Sequence, residues 1–254
     1  MAADWGKPAR VTPEQDEKRK RGLALFDFDG TLIPWDTQVI FADHVLRQEP
    51  VRRLYLTLFA AFGPFYRVLG DEGMKRVFLS YLWRAERGRI EEWAKEFVEK
   101  RLLPICHPAV IERLEQHQAA GHLTVLASAS PDLYVTEVGR ALGFDVALGT
   151  EVEFGQVMPL FPDLRNHKGE EKVRRLSEML GVPGRSGWEG SHGYTDSTAD
   201  LPMMMACRKG TVVNPSERLS RIAAEKGWEV IRPGTPWRGR FDKIRRILRF
   251  AAGI

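Results

Sequence analysis

Apolar and polar residues change rhythm several times along this chain, and each rhythm predicts an element. The run Leu23-Ala24-Leu25-Phe26 is unbroken apolar and ends at Asp27, the pattern of a strand buried on both faces of a parallel sheet. From Asp36 the period lengthens: Val39, Ile40, Phe41, Val45 and Leu46 predict a helix over 36–48. Further helices are predicted over 51–62, from 65 to 69, over 74–87 and over 90–103, with no strand signal between them. Beyond 105 the two rhythms alternate. Helices are predicted over 108–120, 132–142, 167–180, 201–206 and 217–226, the first three stopped by Gly121, Gly143 and Gly181. Strands are predicted over 123–127, 146–148, 192–194, 210–213 and 228–231, with a small hairpin over 151–158.

This order predicts an α/β fold, a doubly wound, Rossmann-like parallel sheet with right-handed crossovers. The core takes residues 22–35 and 104–236, and the helical block 36–103 reads as a domain inserted after the first strand. Its aromatic residues, Phe59, Phe62, Phe65, Tyr66 and Trp83 among them, suit a bundle core, or a surface that receives an apolar substrate or a membrane. Residues 1–21 are charged, lack an apolar period and are expected to form a flexible leader. Over 237–254, Arg238, Arg240, Lys243, Arg245, Arg246 and Arg249 accompany Phe241, Ile244, Ile247 and Leu248 at helical spacing. That predicts a basic amphipathic C-terminal helix, suited to an anionic membrane or to docking on protein.

With 254 residues, 43% of them apolar, the chain can bury a sizeable core. A net charge of +4 does not mark a polyanion binder, and no nucleic-acid partner is expected. Cys106 and Cys207 have neither metal-ligand nor disulfide-framework spacing, which suits the cytoplasm. The longest apolar stretch, 54–69, is broken by Gly63-Pro64 and Arg67, too short and interrupted for a spanning helix. The expected location is cytoplasmic, or peripheral at the inner face of a membrane.

The candidate chemistry gathers at strand ends. Alternation puts Asp27 and Asp29 on one side of the first strand's end, with Gly30 and Thr31 following. Two such carboxylates repel unless a cation sits between them, and hard divalent cations take oxygen ligands of this kind. A calcium loop fits worse, because Gly30 falls at position 4 where an EF-hand needs glycine at 6. Two later strands end in Ser128-Ala129-Ser130-Pro131 and in Thr195-Asp196-Ser197-Thr198-Ala199-Asp200.

Asp27-Phe28-Asp29-Gly30-Thr31, Ser128, a lysine near the start of a later helix, and Asp196 with Asp200 follow one another in that order. Together they resemble the four motifs of the haloacid dehalogenase-like (HAD) superfamily, over residues 22–232. The inserted helices resemble the helical cap of its subfamily IB, the phosphoserine-phosphatase-like branch. The resemblance implies a Mg2+-dependent phosphomonoester hydrolase, with Mn2+ or Co2+ as alternatives. It implies that Asp27 is the nucleophile, forming an aspartyl-phosphate, and Asp29 the general acid and base. It further implies Asp27, Asp29 (through its carbonyl) and Asp196 as metal ligands, with Asp200 in support. Ser128 and the backbone N–H groups near Gly30 and Ala129 are implied to hold phosphoryl oxygens, a turn or helix cap being the plainer role for Ser128.

Two lysines compete for one role. Asn166-His167-Lys168-Gly169-Glu170 resembles the phosphoserine-phosphatase pattern and points to Lys168. Gly169-Glu170-Glu171-Lys172-Val173 resembles the wider subfamily pattern and favours Lys172. The two are i, i+4 and share a face if both are helical. Asp36 stands where that branch has a substrate-contacting acidic residue, although a helix N-cap serves it equally well. Ala199 departs from the phosphoserine-phosphatase motif. With Gly193-Tyr194-Thr195-Asp196-Ser197, it shifts the resemblance towards a group that includes a bacterial phosphatidylglycerophosphate phosphatase. A small phosphomonoester and a lipid phosphate therefore both stand as substrates. A phosphotransferase using the same aspartyl-phosphate, or a non-catalytic phosphate-binding protein, is the alternative.

Overall fold

The computed structural model describes residues 10–182, 188, 190–237, 239, 242 and 245. Its strands are β1 (Leu23–Phe26), β2 (Leu123–Pro131), β3 (Val146–Glu153), β4 (Asp163–Arg165), β5 (Ser191–Thr195), β6 (Lys209–Val213) and β7 (Glu229–Ile231). They form one sheet in the order β4-β3-β2-β1-β5-β6-β7, parallel throughout except for β4. The helices are α1 (Pro13–Arg21), α2 (Thr37–Gln48), α3 (Leu56–Phe62), α4 (Tyr66–Phe78), α5 (Arg87–Phe97), α6 (Pro108–Ala119), α7 (Asp132–Leu142), α8 (Glu170–Leu180), α9 (Leu201–Ala206) and α10 (Glu217–Lys226).

β1 is central, with β2 on one side and β5 on the other. Its side chains serve two cores in alternation. Ala24 and Phe26 join the cluster that also buries residues of α2, α5, α6 and α7, while Leu23 and Leu25 join the one beneath α8, α9 and α10. A strand buried on both faces must be apolar at every position. Phe26 stacks on Tyr194 of β5 at 4.2 Å, which locks the two strands whose ends carry Asp27 and Asp196. The chain leaves β1 for β2 and later returns to the opposite edge of β1 at β5. Ligands of open α/β sheets bind at such a switch, beyond the C-terminal strand ends.

Between β1 and α6 the chain is helical but less regular than predicted. The expected helix 51–62 is a 3-10 segment, Pro50–Tyr55, followed by α3. The expected helix 74–87 stops at Phe78, passes through a 3-10 turn (Leu79–Leu82), and reaches Arg84 with φ 59°. The reason is tertiary: Arg84 and Arg87 donate backbone N–H bonds to Met158 and Gln156. The same contact corrects the hairpin expected over 151–158. Residues 156–158 pair with 84–87, and the antiparallel partner of β3 is β4. Neither α3 nor its flanking 3-10 segments bury any residue, and Val51, Leu54, Phe65 and Val68 are more than half exposed.

Two other expectations need correcting. Residues 13–21 of the presumed flexible leader form α1, closed by a reciprocal capping box of Thr12 and Gln15. Lys18 pairs with Asp145 at 2.6 Å and Gln15 bonds the Asp145 carbonyl. The helix buries no side chain, so its polar attachment left no apolar period to read. The helix expected from 167 begins at Glu170, because Gly169 adopts φ +61° ahead of it. Lys168 is therefore off the helix and does not share a face with Lys172. The predicted basic C-terminal helix lies almost wholly outside the described residues. Among the described residues, no helix is long and apolar enough to cross a membrane.

At the N-terminal end of the sheet, His117 Nε2 meets the Tyr194 hydroxyl at 2.8 Å, and His192 Nε2 meets Thr211 Oγ1 at 2.8 Å. Burial, reinforced by neighbouring positive groups, pushes both imidazoles down to about 4. The unfolded chain therefore binds protons from about pH 6.5 downwards that the folded chain refuses until about pH 4. Stability is held above that window and lost as pH falls through it. Urea midpoints measured from pH 7 to 4.5 should fall, and fall less steeply in His117→Gln/His192→Gln.

Candidate active site

The Asp27 N–H donates to the Tyr194 carbonyl at 2.9 Å, so the residue following β1 is tied to β5. Lys172, in the first turns of α8, donates to Asp27 Oδ1 at 2.9 Å and to Asp200 Oδ1 at 2.6 Å. Its side chain is 1% exposed. Thr195 Oγ1 donates to the other Asp200 oxygen at 2.9 Å, and Thr31 Oγ1 to Asp27 Oδ2 at 3.3 Å. Burial alone would lower the Lys172 pKa, but Asp200 and Asp27 outweigh it and raise it, so the ammonium is charged. Asp27 is pushed well above the usual carboxylate range, by burial first and then by Asp200 and Asp196, against the pull of Lys172.

Gly30 explains how Asp196 comes so close. It has φ +79°, and a Cβ there would stand 2.1 Å from Asp196 Oδ2. Only glycine allows both the left-handed turn and this approach. Asp27, Asp196 and Asp200 against Lys172 leave a formal surplus of two negative charges (three carboxylates, one ammonium).

Asp29 has a separate environment. Its Oδ1 accepts the Thr37 N–H at 2.6 Å, at the start of α2, and its Oδ2 accepts the Ser130 hydroxyl at 2.5 Å. Thr37 Oγ1 lies 2.9 Å from Ser130 Oγ and 3.0 Å from the Tyr134 hydroxyl. Each hydroxyl has one proton, so with Asp29 ionised the donors run Tyr134 to Thr37 to Ser130 to Asp29. Burial, then Asp36, pushes Asp29 up to about 6 despite the bonds from Ser130 and Thr37.

The remaining candidates sort by position. Ser128 is fully buried and its Oγ accepts the Ser130 N–H at 2.9 Å, so the turn role is present while its own proton remains to donate. The Ala129 carbonyl accepts from Lys75 at 2.7 Å and from Thr150 at 2.7 Å. Asp36 caps α2, accepting the Gln38 N–H at 3.0 Å. Lys168 pairs with Asp71 at 2.7 Å, half-exposed and apart from the Asp27 cluster, which is reached by Lys172. A cavity of about 380 Å³ opens beside Asp29, Gly30 and Asp196, with Asp36 on its rim.

Among the described residues, no three carboxylate, imidazole or thiolate side chains converge as a closed metal cage. The Asp29 carboxylate is engaged by Thr37 and Ser130, which leaves the Asp27 and Asp196 carboxylates and backbone oxygen. One or two carboxylates, completed by water and phosphate oxygens, is how proteins usually hold Mg2+. The surplus negative charge also suits a divalent cation, so the donor set fits it. Sequence reasoning missed Thr37, Tyr134, Thr195 and Lys75. Thr195, beside Asp196 at the end of β5, and Ser130, within the hydroxyl-rich end of β2, carried a local signal.

Three comparisons bear on this geometry. A histidinol-phosphatase of Neisseria meningitidis is 27% identical over 226 residues, spanning 83% of this chain and 98% of that protein. The crystal structure of a Bordetella pertussis protein of unknown function superposes with a TM-score of 0.73 at 26% identity, covering 84% of this chain and 99% of the other. A phospho-aspartyl intermediate analogue of phosphoserine phosphatase shares the fold, with a TM-score of 0.52 at 18% identity and coverage of 90% and 98%. The family model for haloacid dehalogenase-like hydrolases matches residues 24–205, a span from β1 through α9 that contains Asp27, Lys172 and Asp200, and the chain belongs to that family.

Proposed function

We propose that this protein is a Mg2+-dependent phosphomonoester hydrolase that works through an aspartyl-phosphate on Asp27. The observation that carries this reading is the buried Asp27, bonded by Lys172 at the end of the central strand and crowded by Asp196 and Asp200. An Asp27 oxygen attacks phosphorus, and the bond from phosphorus to the alcohol oxygen breaks. Asp29 gives the departing alkoxide its proton, then takes one from the water that cleaves the aspartyl-phosphate. Lys172 offsets negative charge on the transferring group, and Ser128 with the N–H groups near Gly30 and Ala129 binds its oxygens. Mg2+ held by Asp27, Asp196 and the Asp29 carbonyl would neutralise phosphate charge and favour ionised Asp27. Thr37, Ser130 and Tyr134 keep the Asp29 carboxyl in one orientation. The helical block, joined to this end of the sheet by Thr37 and Lys75, acts as the cap.

Phosphate release should be measured on phosphoserine, sugar phosphates, histidinol phosphate and p-nitrophenyl phosphate, with Mg2+. Release that stops with EDTA and in Asp27→Asn is the expected result, and no release from any ester removes the reading.

The lysines give a second prediction. Lys172→Met should lower kcat by about 10²- to 10³-fold, the size of effect seen on losing one transition-state donor, with folding checked by circular dichroism. Lys168→Ala should fall far less. The reverse ranking would return the role to Lys168.

A second reading, peripheral contact with an anionic membrane and a lipid phosphate as substrate, is favoured by the exposed Val51, Leu54, Phe65 and Val68. Co-sedimentation with anionic vesicles, weakened in Val51→Ser/Leu54→Ser/Val68→Ser, is its expected result. Failure to sediment would remove it.

A further inference from the structure

Residues 128–130 leave the ladder that the rest of β2 follows. Pairing with β1 ends at Leu126. On the other side, β2 has three residues between the pairs Ala127–Leu148 and Pro131–Thr150, where β3 has only Gly149. A bulge of this kind re-aims side chains beside a site and takes backbone groups out of the sheet's own bonding. Those groups then need other partners.

For the Ala129 carbonyl the partners are Lys75 Nζ at 2.7 Å and Thr150 Oγ1 at 2.7 Å. Lys75 belongs to α4 in the helical block, and it also donates to Asn166 Oδ1 at 2.8 Å and to Thr150 Oγ1 at 3.1 Å. Three acceptors match the three protons of an ammonium. A neutral amine has two protons and would set its lone pair against one of these oxygens, so the geometry requires the charged form. Burial works against that charge and pushes Lys75 down to about 8, with Lys168, after β4, adding to the effect. Asp29 after β1, Asp71 on α4 and Asp36 before α2 oppose it, and His167 beside it is held neutral by burial. The charge is therefore present at neutral pH and lost as pH rises through about 8.

The Ala129 carbonyl and the Ser130 N–H are the two ends of one peptide group. Its N–H end donates to Ser128 Oγ at 2.9 Å, so Ser128 keeps its own proton for a phosphoryl oxygen. The Ser130 hydroxyl goes to Asp29. A cation at the carbonyl polarises the peptide and strengthens the bond that its N–H gives. We propose that Lys75 is a positioning residue for the phosphate site, its ammonium fixing the bulged Ala129–Ser130 peptide and, through it, the Ser128 hydroxyl. The helical block thereby completes the phosphate-binding end of β2. The proposal rests on the hydrolase reading above and adds to it a residue that acts only through its neighbours.

The full chain with Mg2+ and p-nitrophenyl phosphate tests this, with folding checked by circular dichroism. Lys75→Met should lower kcat/KM and weaken inhibition by inorganic phosphate, each by about 10- to 100-fold, as for the loss of a hydrogen bond from a charged group. Ser128→Ala should be costly in the unsubstituted protein and add little in Lys75→Met, because the two side chains act as one unit. The ratio of kcat/KM between the unsubstituted protein and Lys75→Met should shrink from pH 7 to 9.5, as the ammonium is lost; titrations common to both cancel in the ratio. Effects of Lys75→Met and Ser128→Ala that simply multiply, or a ratio that does not change with pH, overturn the proposal. If Lys75→Met does not fold, Lys75→Gln takes its place, and loss of folding in both makes Lys75 a structural residue and overturns the proposal. Undiminished turnover and phosphate inhibition in folded Lys75→Met overturn it alone. No release by the unsubstituted protein from any ester overturns the hydrolase reading and this assignment with it.

Discussion

The ammonium of Lys172, buried between Asp27 and Asp200, holds together three parts of the chain far apart in sequence. It joins the end of β1, the first turns of α8 and the segment that leads into α9. Taking these charges out of water is expensive, and their attraction offsets that only when the geometry is good and the remaining oxygens are bonded. Thr195 and Thr31 supply those bonds. Removing one partner of such a buried group leaves an uncompensated charge, at a cost of about 3–5 kcal/mol. The strand register serves the same end, since Phe26 against Tyr194 brings the ends of β1 and β5 level.

A second joint attaches the helical block. Asp29 receives the first backbone N–H of α2, and Lys75 reaches from α4 to the C-terminal end of β2. Apolar packing continues across the same joint, where Phe41 and Phe97 lie against Tyr134 of α7. Burial has lowered the Lys75 pKa to about 8, with Lys168 adding to the effect and Asp29, Asp71 and Asp36 opposing it. The two joints involve different carboxylates. Asp27 faces Lys172 of α8, and Asp29 faces the block.

Much of the sheet was legible because its strands are buried on both faces and read as short apolar runs between glycine-stopped helices. Asp27 was legible for the same reason, since it interrupts such a run, whereas Asp196 follows Ser191–Thr195, a strand with a weak apolar signal, and was found through the acidic motif after it. What failed depended on contacts between distant segments. The helix expected to continue through Arg84 stops where residues 156–158 pair with it. The helix α1 is held by Asp145 through polar bonds that leave no periodic signature. The two lysines could not be separated by spacing, because the backbone turn at Gly169 decides which of them is on the helix. Lys75 had no motif around it. Its importance comes from three acceptors contributed by β2, β3 and the segment after β4.

The line of hydroxyls behind Asp29 has a polarity. A proton placed on the Asp29 oxygen that faces Ser130 would turn that oxygen into a donor and reverse Ser130 and Thr37 in turn. The Tyr134 phenol, which donates to Thr37 in the ionised arrangement, would then accept from it. Tyr134, at the far end of the line, thus carries the charge of Asp29 in the sense of its hydroxyl: it donates along the line when the carboxylate is ionised and accepts from it when that oxygen holds a proton.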